Sequence, residues 1–591
     1  MNCLIMNDSI VPPAAKQFFL AGSLARIQQE RISTVPGLHC PVLICWHDGE
    51  VFALDNRCPH MGFPLSKGTI TDGVLTCHWH HAQFDLRSGC TFDLWADDAP
   101  AYEVKIVGDE IWVSREPKHP QDRALCISRL RRGLEQNIGL IQVKNMIPLL
   151  TDGAEEVIRE IAHFGAWHHR TWREGMTMLT IAARLRPYLS ETALVYAFAA
   201  AARSVAENCA GEPIRHDPGG LDGEGFQEQQ LTRWMFHWTN VRHSQGAERT
   251  LLTAARSRFA KKALNRLIFG PLQVRIYADG GHALDLSNKA FELLDIIGWE
   301  KAEEILPLVV EHLTDSRSEE EGGAWRSPID LIELIEEAEA KLASYSPKLA
   351  SAVQMSPKFF HEFLEEDPRL ILDLLVDVLV RGAAPIEIAR HLTLAAAWRL
   401  ASFPESNDID DWFAPMHTFS FCNALTQILG RGETGPEIVK GLLHGAMSVY
   451  IDRFLNIPAA KLAGVEPLED LPQHADELRK SMLESLDQRK GWSILPRLVA
   501  RYLRLGYSEP ELIDLLTLAT TREDLDFHKM QVFEAAVTQA QQWPTYQAAR
   551  ELLYTAAARH LAAHCPTRRG ASQSVAVALR LNRGEEIGVS S

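Results

Sequence analysis

The chain has 591 residues, 46% hydrophobic and 23% charged, with a mean hydropathy of −0.12. These values exclude disorder over most of the length and call for roughly three to four domains. A balance of 60 Lys and Arg against 77 Asp and Glu, −17 in all, argues against DNA or RNA as a general partner.

The N-terminus lacks a basic stretch and is broken by Asn7, Asp8, Pro12 and Pro13, so no signal peptide is expected. The longest apolar run, residues 193–202, is about half of what a bilayer-spanning helix needs, and no membrane segment is expected. Ten scattered cysteines (Cys3, Cys40, Cys45, Cys58, Cys77, Cys90, Cys126, Cys209, Cys422 and Cys565) are too sparse for a disulfide scaffold. The expectation is a cytoplasmic protein with free or metal-bound thiols.

From residue 21 to 114 short β-branched and aromatic runs alternate with Gly, Pro, Asn and Asp. Val42-Leu43-Ile44-Cys45-Trp46, the turn His47-Asp48-Gly49-Glu50 and Val51-Phe52-Ala53-Leu54 predict a β-hairpin. The pattern returns around Asp72-Gly73 and again in 104–113, where alternation predicts a last hairpin. This is a small all-β domain. The Pro-, Lys- and His-containing stretch after Glu116 reads as an exposed linker, and residues 129–132 as part of a basic connecting helix.

From 152 to 567 the texture is helical. Residues 370–379 are apolar apart from Asp373 and Asp377, four apart on one stripe, with Pro368 and Gly382 as boundary signals. Residues 193–205, 300–313, 386–400, 437–454 and 533–560 read the same way, 318–321 as an acidic loop and 565–591 as a weakly ordered tail. A faint repeat relates His282-Ala283-Leu284-Asp285-Leu286-Ser287-Asn288 to His417-Thr418-Phe419-Ser420-Phe421-Cys422-Asn423. Both carry His-x5-Asn, and each is followed by a second amphipathic segment (Glu304 onward, Glu437 onward). The predicted fold is therefore a small all-β domain (15–118), a linker and connecting helix (119–150), a large mainly α-helical region in two related halves (151–345 and 346–565) and the tail (566–591).

Inside the β domain stand Cys58-Pro59-His60 and, after sixteen intervening residues (61–76), Cys77-His78-Trp79-His80. Each half-motif offers one thiolate and one imidazole. Two thiolates on one iron and two neutral imidazoles on the other raise a [2Fe–2S] potential from about −400 mV to roughly −150 to +300 mV. Gly62, Pro64 and Gly68 suit tight loops whose N–H groups can reach cluster sulfur. A Cys2His2 zinc site is the competing reading, though zinc fingers usually keep the Cys pair and the His pair apart.

The segments Cys58-Pro59-His60-Met61-Gly62-Phe63-Pro64-Leu65-Ser66 and Cys77-His78-Trp79-His80-His81-Ala82-Gln83-Phe84-Asp85-Leu86-Arg87-Ser88-Gly89 resemble the two cluster loops of the Rieske [2Fe–2S] domain, over about the first 115 residues. The resemblance implies Cys58 and Cys77 on one iron, and His60 and His80 on the other. High-potential members carry an extra Cys in each loop; Phe63 and His81 stand in those neighbourhoods, which implies the ferredoxin or oxygenase type. His78 and His81 depart from the family, which more usually has Pro and Gly there. Cys90 is expected to be a packed thiol.

Such a domain moves one electron at a time, so the function depends on what it reduces. The Asp-x-x-His-x4-His pattern of ring-hydroxylating oxygenase catalytic domains does not occur after residue 120, and their α/β fold disagrees with a helical composition. The helical region instead holds His163, His168, His169, His237, His243, His282, His312, His361, His391, His417 and His444. The repeated context singles out His282 and His417 as candidate catalytic residues, with Asn288 and Asn423 to cap or orient them. His391 and His444 flank the second copy, Lys440 shares a helical face with His444, and His168-His169 with Glu174 is a further ligand source. The stretch Asp411-Trp412-Phe413-Ala414-Pro415-Met416-His417 faintly resembles questin-oxidase-like proteins, which implies a second, non-haem iron without assigning ligands. No Gly-rich dinucleotide fingerprint or P-loop is present, so electrons should arrive from a separate reductase or ferredoxin. The expectation is a Rieske oxidoreductase acting on a small organic substrate; the alternative is a non-enzymatic ferredoxin or redox sensor on a helical docking scaffold.

Overall fold

Asp-Gly pairs close two of the hairpins of the β domain with left-handed backbone at both turn residues: Asp48 and Gly49 at φ 47° and 84°, Asp72 and Gly73 at 51° and 78°. That geometry matches the twist of the flanking strands. The chain is described by a computed structural model over residues 17–37, 39–119, 122–342, 355–432, 436–488, 491–524 and 526–585. It divides into two units, Met1–Val157 with Gln573–Ser591, and Ile158–Ser572.

In the first unit, strands β1 (Phe18–Ser23), β2 (Ile32–Pro36), β3 (Pro41–His47), β4 (Glu50–Asp55), β5 (Thr69–Thr71), β6 (Val74–Thr76), β7 (Gln83–Asp85), β8 (Ala101–Val107) and β9 (Glu110–Pro117) build two antiparallel sheets. One has the order β1-β9-β8-β4-β3-β2 and the other β5-β6-β7. β3 is buried on both faces, which explains its unbroken apolar run. Leu43 and Cys45 join the core that includes Cys58, Cys77 and Phe84, while Val42 and Ile44 join Ile27, Tyr102 and Val113 on the other side.

Two helices of this unit, Arg123–Glu135 and Gly139–Thr151, follow the strands, so the expected connecting helix is one arm of a helical hairpin. β9 runs to Pro117, just short of the expected linker; residues 120–121 lie outside the described residues. The expected tail instead contains the helix Gly570–Asn582, with Val575 and Ala578 buried. The Arg57 guanidinium, paired with Asp55, donates to the carbonyl of Leu581 at 2.7 Å, satisfying one of the carbonyls that a helix end leaves free.

The second unit is helical. The expected segment 370–379 is the helix Pro368–Val380, whose N-cap Asp367 accepts from the Arg369 N–H. Two expected helices are broken. Residues 300–313 fall into the short pieces Ala302–Ile305, Leu306–Val309 and Val310–Thr314, with Pro307 in the middle piece. Residues 533–560 belong to Phe527–Ala540 and Gln547–Ala563, with Pro544 between them. The expected boundary between the two halves, 345/346, lies outside the described residues.

Four helices, Glu174–Leu185, His282–Ile297, Phe413–Gly430 and Phe527–Ala540, pack together at the middle of this unit. His282–Ile297 and Phe527–Ala540 are buried almost all round, including Lys289, Glu292, Gln531 and Glu534. Buried charge survives only when paired. The Lys289 ammonium lies 2.7 Å from Glu292 and 2.5 Å from Glu534, which also receives Arg184 at 2.6 Å. Lys289→Met should therefore leave carboxylates uncompensated and destabilise the helical unit by about 3–5 kcal/mol, read as a lower urea midpoint by circular dichroism. An unchanged midpoint would contradict this account of the core.

Candidate functional site

The two cluster-type loops turn in the same way. In the first, the Cys58 N–H donates to the Phe63 carbonyl and the Gly62 N–H to the Cys58 carbonyl, at 2.8 and 2.7 Å. In the second, the Cys77 N–H donates to Ala82 and the His81 N–H to Cys77, at 2.8 and 2.9 Å. Gly62 and His81 occupy matching positions with φ of 79° and 65°, the left-handed region that favours glycine. His81 thus stands where a Cβ is strained, which gives the physical sense of the family's preference for Gly. His78 is exposed with Nε2 3.3 Å from the Thr69 hydroxyl. Cys90, expected to be packed, is exposed.

The loops bring Cys58, His60, Cys77 and His80 together. Both cysteines are buried, His60 is half-buried and His80 exposed; the two imidazoles stand edge to face with centroids 4.7 Å apart. The thiols are hydrogen-bonded to each other, and Cys77 is drawn down to about 6 by that bond and by the backbone N–H groups of Trp79 and His80. Burial, then His80 and Lys144, holds the His60 imidazole down to about 4, so it is neutral. Its Nδ1 is buried without a hydrogen-bond partner. Paired buried thiols and a neutral ring with a spare nitrogen fit a [2Fe–2S] cluster of mixed ligation. From the helix Gly139–Thr151, Lys144 donates to the Pro59 carbonyl at 2.5 Å and pairs with buried Asp97 at 2.6 Å, bracing the first loop.

A sheet pair carrying two such loops defines an iron–sulfur electron-transfer domain, and the comparisons agree. The family model for the Rieske [2Fe-2S] domain matches residues 18–119. "Biphenyl 2,3-dioxygenase, ferredoxin component" of Rhodococcus jostii (strain RHA1) is 36% identical over 77 residues, 13% of this chain and 72% of that protein. Human "Apoptosis-inducing factor 3" is 36% identical over 94 residues, 15% of this chain and 16% of its own length. "Pheophorbide a oxygenase, chloroplastic" of Oryza sativa subsp. japonica is 47% identical over 53 residues, 8% and 10% of the two chains. The chain belongs to the Rieske [2Fe–2S] domain family through this N-terminal domain. It spans only 16% of the length of the apoptosis-inducing factor relatives.

In the helical unit, the repeated His282 and His417 meet, with ring centroids 4.2 Å apart. His528, which the sequence reading passed over, is the third member: its Nε2 lies 3.3 Å from Nε2 of His282 and 3.4 Å from Nε2 of His417. One signal for it was legible, the Asp526-x-His528 pair at a helix start, since Asp526 N-caps Phe527–Ala540. Asp526 Oδ1 lies 3.1 Å from Nδ1 of His528, and Asp285 Oδ1 lies 3.4 Å from Nδ1 of His282. Burial opposes charge on His282, yet Asp285, with Asp279 and Glu174, holds its pKa above the usual value. His417 is pushed down to about 3 by burial and by its two neighbours.

The other candidates are not drawn into this cluster. His391 packs between Phe359 and Trp543. His444 and Lys440 both face Glu339, at 3.9 and 2.6 Å. His163 pairs with Glu304, His168 contacts its own helix at the Phe164 carbonyl, His237 meets Trp238, His243 caps Ser244–Arg256, His312 faces the Trp172 carbonyl, and His361 stacks on Phe360. Asn288 and Asn423 neither cap a helix nor touch the histidines: Asn288 donates to Glu292 and Asn423 accepts from Gln539, both at 2.8 Å.

His169, His391 and His564 are each held down to about 4, chiefly by burial. Their folded pKa values lie below the ordinary 6.5, so the unfolded chain binds more protons between the two. Stability is then complete above about pH 6.5 and lost as the pH falls toward 4. At about pH 5.5 the loss is about 1.4 kcal/mol for each imidazole. Melting temperatures should fall through this window, and His391→Leu should flatten part of the slope; a level profile would refute the assignment.

Proposed function

We propose that the chain is an oxidoreductase in which the Rieske domain relays single electrons to the helical unit, where a non-haem iron centre around His282 and His417 oxidises a small organic substrate. The observation that carries this reading is the presence in one polypeptide of the Rieske domain and of a helical unit whose histidines meet at one point. Covalent linkage keeps donor and acceptor at a high effective concentration. The names of two relatives, a dioxygenase's ferredoxin component and an oxygenase, support an oxygenase-type use of the electrons.

Cys58 and Cys77 would hold one iron, and His60 and His80 the other. When bound, the [2Fe–2S] cluster supplies one-electron transfer at a potential raised by its two imidazoles. The chain's own residues set the conditions. Buried Cys58 and Cys77 keep water from the sulfur side, Lys144 fixes the carbonyl between the first two ligands, and exposed His80 with its neighbour Trp79, 41% exposed, presents an aromatic edge. Such a surface suits brief docking of a reductase or ferredoxin, the electron donor in this reading. No helix among the described residues is long and apolar enough to cross a membrane, and none of the nine described cysteines is in a disulfide; a cytoplasmic setting is part of this reading.

Purified chain should contain two acid-labile sulfides and more than two irons, show the low average g-value of nitrogen-ligated clusters when reduced, and consume dioxygen with a reductase and substrate. Cys77→Ser should abolish the cluster signal and the turnover. The midpoint potential should also fall as the pH is raised from about 6 to about 10, because ligated imidazoles shed protons more readily when their iron is ferric. A chain holding only the cluster's two irons and turning over nothing would instead be a carrier of the ferredoxin type.

A further inference from the structure

The three histidines of the helical unit come from helices far apart in sequence. His282 opens His282–Ile297, His417 lies one turn into Phe413–Gly430, and His528 is the second residue of Phe527–Ala540. One ring nitrogen of each lies within 4.8 Å of the others. Metal–imidazole bonds of about 2.0–2.1 Å at angles of roughly 90–110° place ligand nitrogens about 2.9–3.4 Å apart. Two of the three separations, 3.3 and 3.4 Å from Nε2 of His528, match that spacing, and the third lies within 4.8 Å.

The carboxylates behind the rings sharpen the argument. Asp526 at Nδ1 of His528 and Asp285 at Nδ1 of His282 are acceptors, so each Nδ1 carries the hydrogen and the neutral ring offers its Nε2 lone pair to a metal. With both rings neutral, two lone pairs face each other across 3.3 Å, an arrangement that a cation between them, proton or metal, satisfies. Both carboxylates are anchored elsewhere as well: Asp285 accepts from Ser420 at 2.7 Å and Gln531 at 3.1 Å, and Asp526 pairs with Lys529 at 2.6 Å. They are placed to orient rings. The half-buried setting of all three histidines leaves room for further ligands, as in catalytic rather than closed structural sites.

We propose that His282, His417 and His528 bind one divalent transition metal through their three Nε2 atoms, with Asp285 and Asp526 as positioning residues for the rings of His282 and His528. Three imidazoles without thiolate suit iron(II), cobalt(II) or zinc(II) and not magnesium or calcium. This deepens the oxidoreductase reading by naming the ligands of its second metal, and it adds His528, but metal binding itself does not depend on that reading.

The test uses the full-length protein, dialysed against a mild chelator that leaves the visible spectrum of the cluster intact, then titrated with zinc(II) by calorimetry. One tight site per chain is expected, with a zinc-edge X-ray absorption shell of nitrogen or oxygen at about 2.0–2.1 Å showing imidazole scattering. His528→Ala and His417→Ala should each lose that site, and Asp526→Asn should weaken it about 10–100-fold, while His163→Ala, remote from the cluster, should bind as wild type. His528→Gln, checked by circular dichroism, serves if the alanine variant misfolds. Absence of a tight site in the wild-type protein, a sulfur-containing shell, or undiminished binding by folded His528 variants would overturn the proposal. A metal bound through these imidazoles without reductase-driven oxygen consumption would overturn the oxidoreductase reading alone. Turnover persisting in His528→Ala would overturn the ligand assignment alone.

Discussion

Each cluster loop of the first unit closes twice on its own cysteine, once through that residue's N–H and once through its carbonyl. This doubled closure is the constraint on which the electron-transfer domain depends. It buries both thiols, aims them at each other and forces the residue four positions on, Gly62 or His81, into left-handed backbone. The imidazoles two and three residues after the cysteines are then carried outward from the thiols, His60 half-buried and His80 exposed. The rest of the unit supports that arrangement. β3 is packed on both faces, the small three-stranded sheet carries the second loop, and Lys144 on a helix beyond the β domain holds the first loop by its Pro59 carbonyl.

The helical unit meets a different constraint. Two of its helices are buried almost all round and yet carry ionic and amide side chains, each of which needs a partner inside. Down the interior these groups pair in order: Asp285 with Ser420 and Gln531, Asn423 with Gln539, then Lys289 with Glu292 and Glu534. Salt links of this kind add little net stability against a hydrophobic equivalent, but removing one partner is costly. Their effect is to fix the rotation and height of the helices that carry His282, His417 and His528. That is the kind of support a set of converging imidazoles requires.

Several elements could be read before the fold was known because their signals are local. The Asp-Gly turns of the hairpins, the Pro at the start of Pro368–Val380 and the mixed Cys-x-His and Cys-x-x-His spacing all act within a few residues. His282 and His417 were also singled out by their two similar heptapeptides, though not the meeting of their rings. Other expectations failed where local pattern was weak. Apolar periodicity ran through Pro307 and Pro544, but the backbone did not. His391 and His444 shared the composition of the site without its location, being held instead by Trp543 and Glu339.

From the chain of residues alone came the cluster-loop chemistry, the all-β domain ahead of a helical region, and two of the three central histidines, because motif, turn and repeat are encoded over short distances. Only the folded chain decided that His528 completes the trio. It also decided that residues 573–585 belong with the N-terminal unit. Those relations join positions more than a hundred residues apart, and they are set by how helices pack rather than by anything written beside the residues themselves.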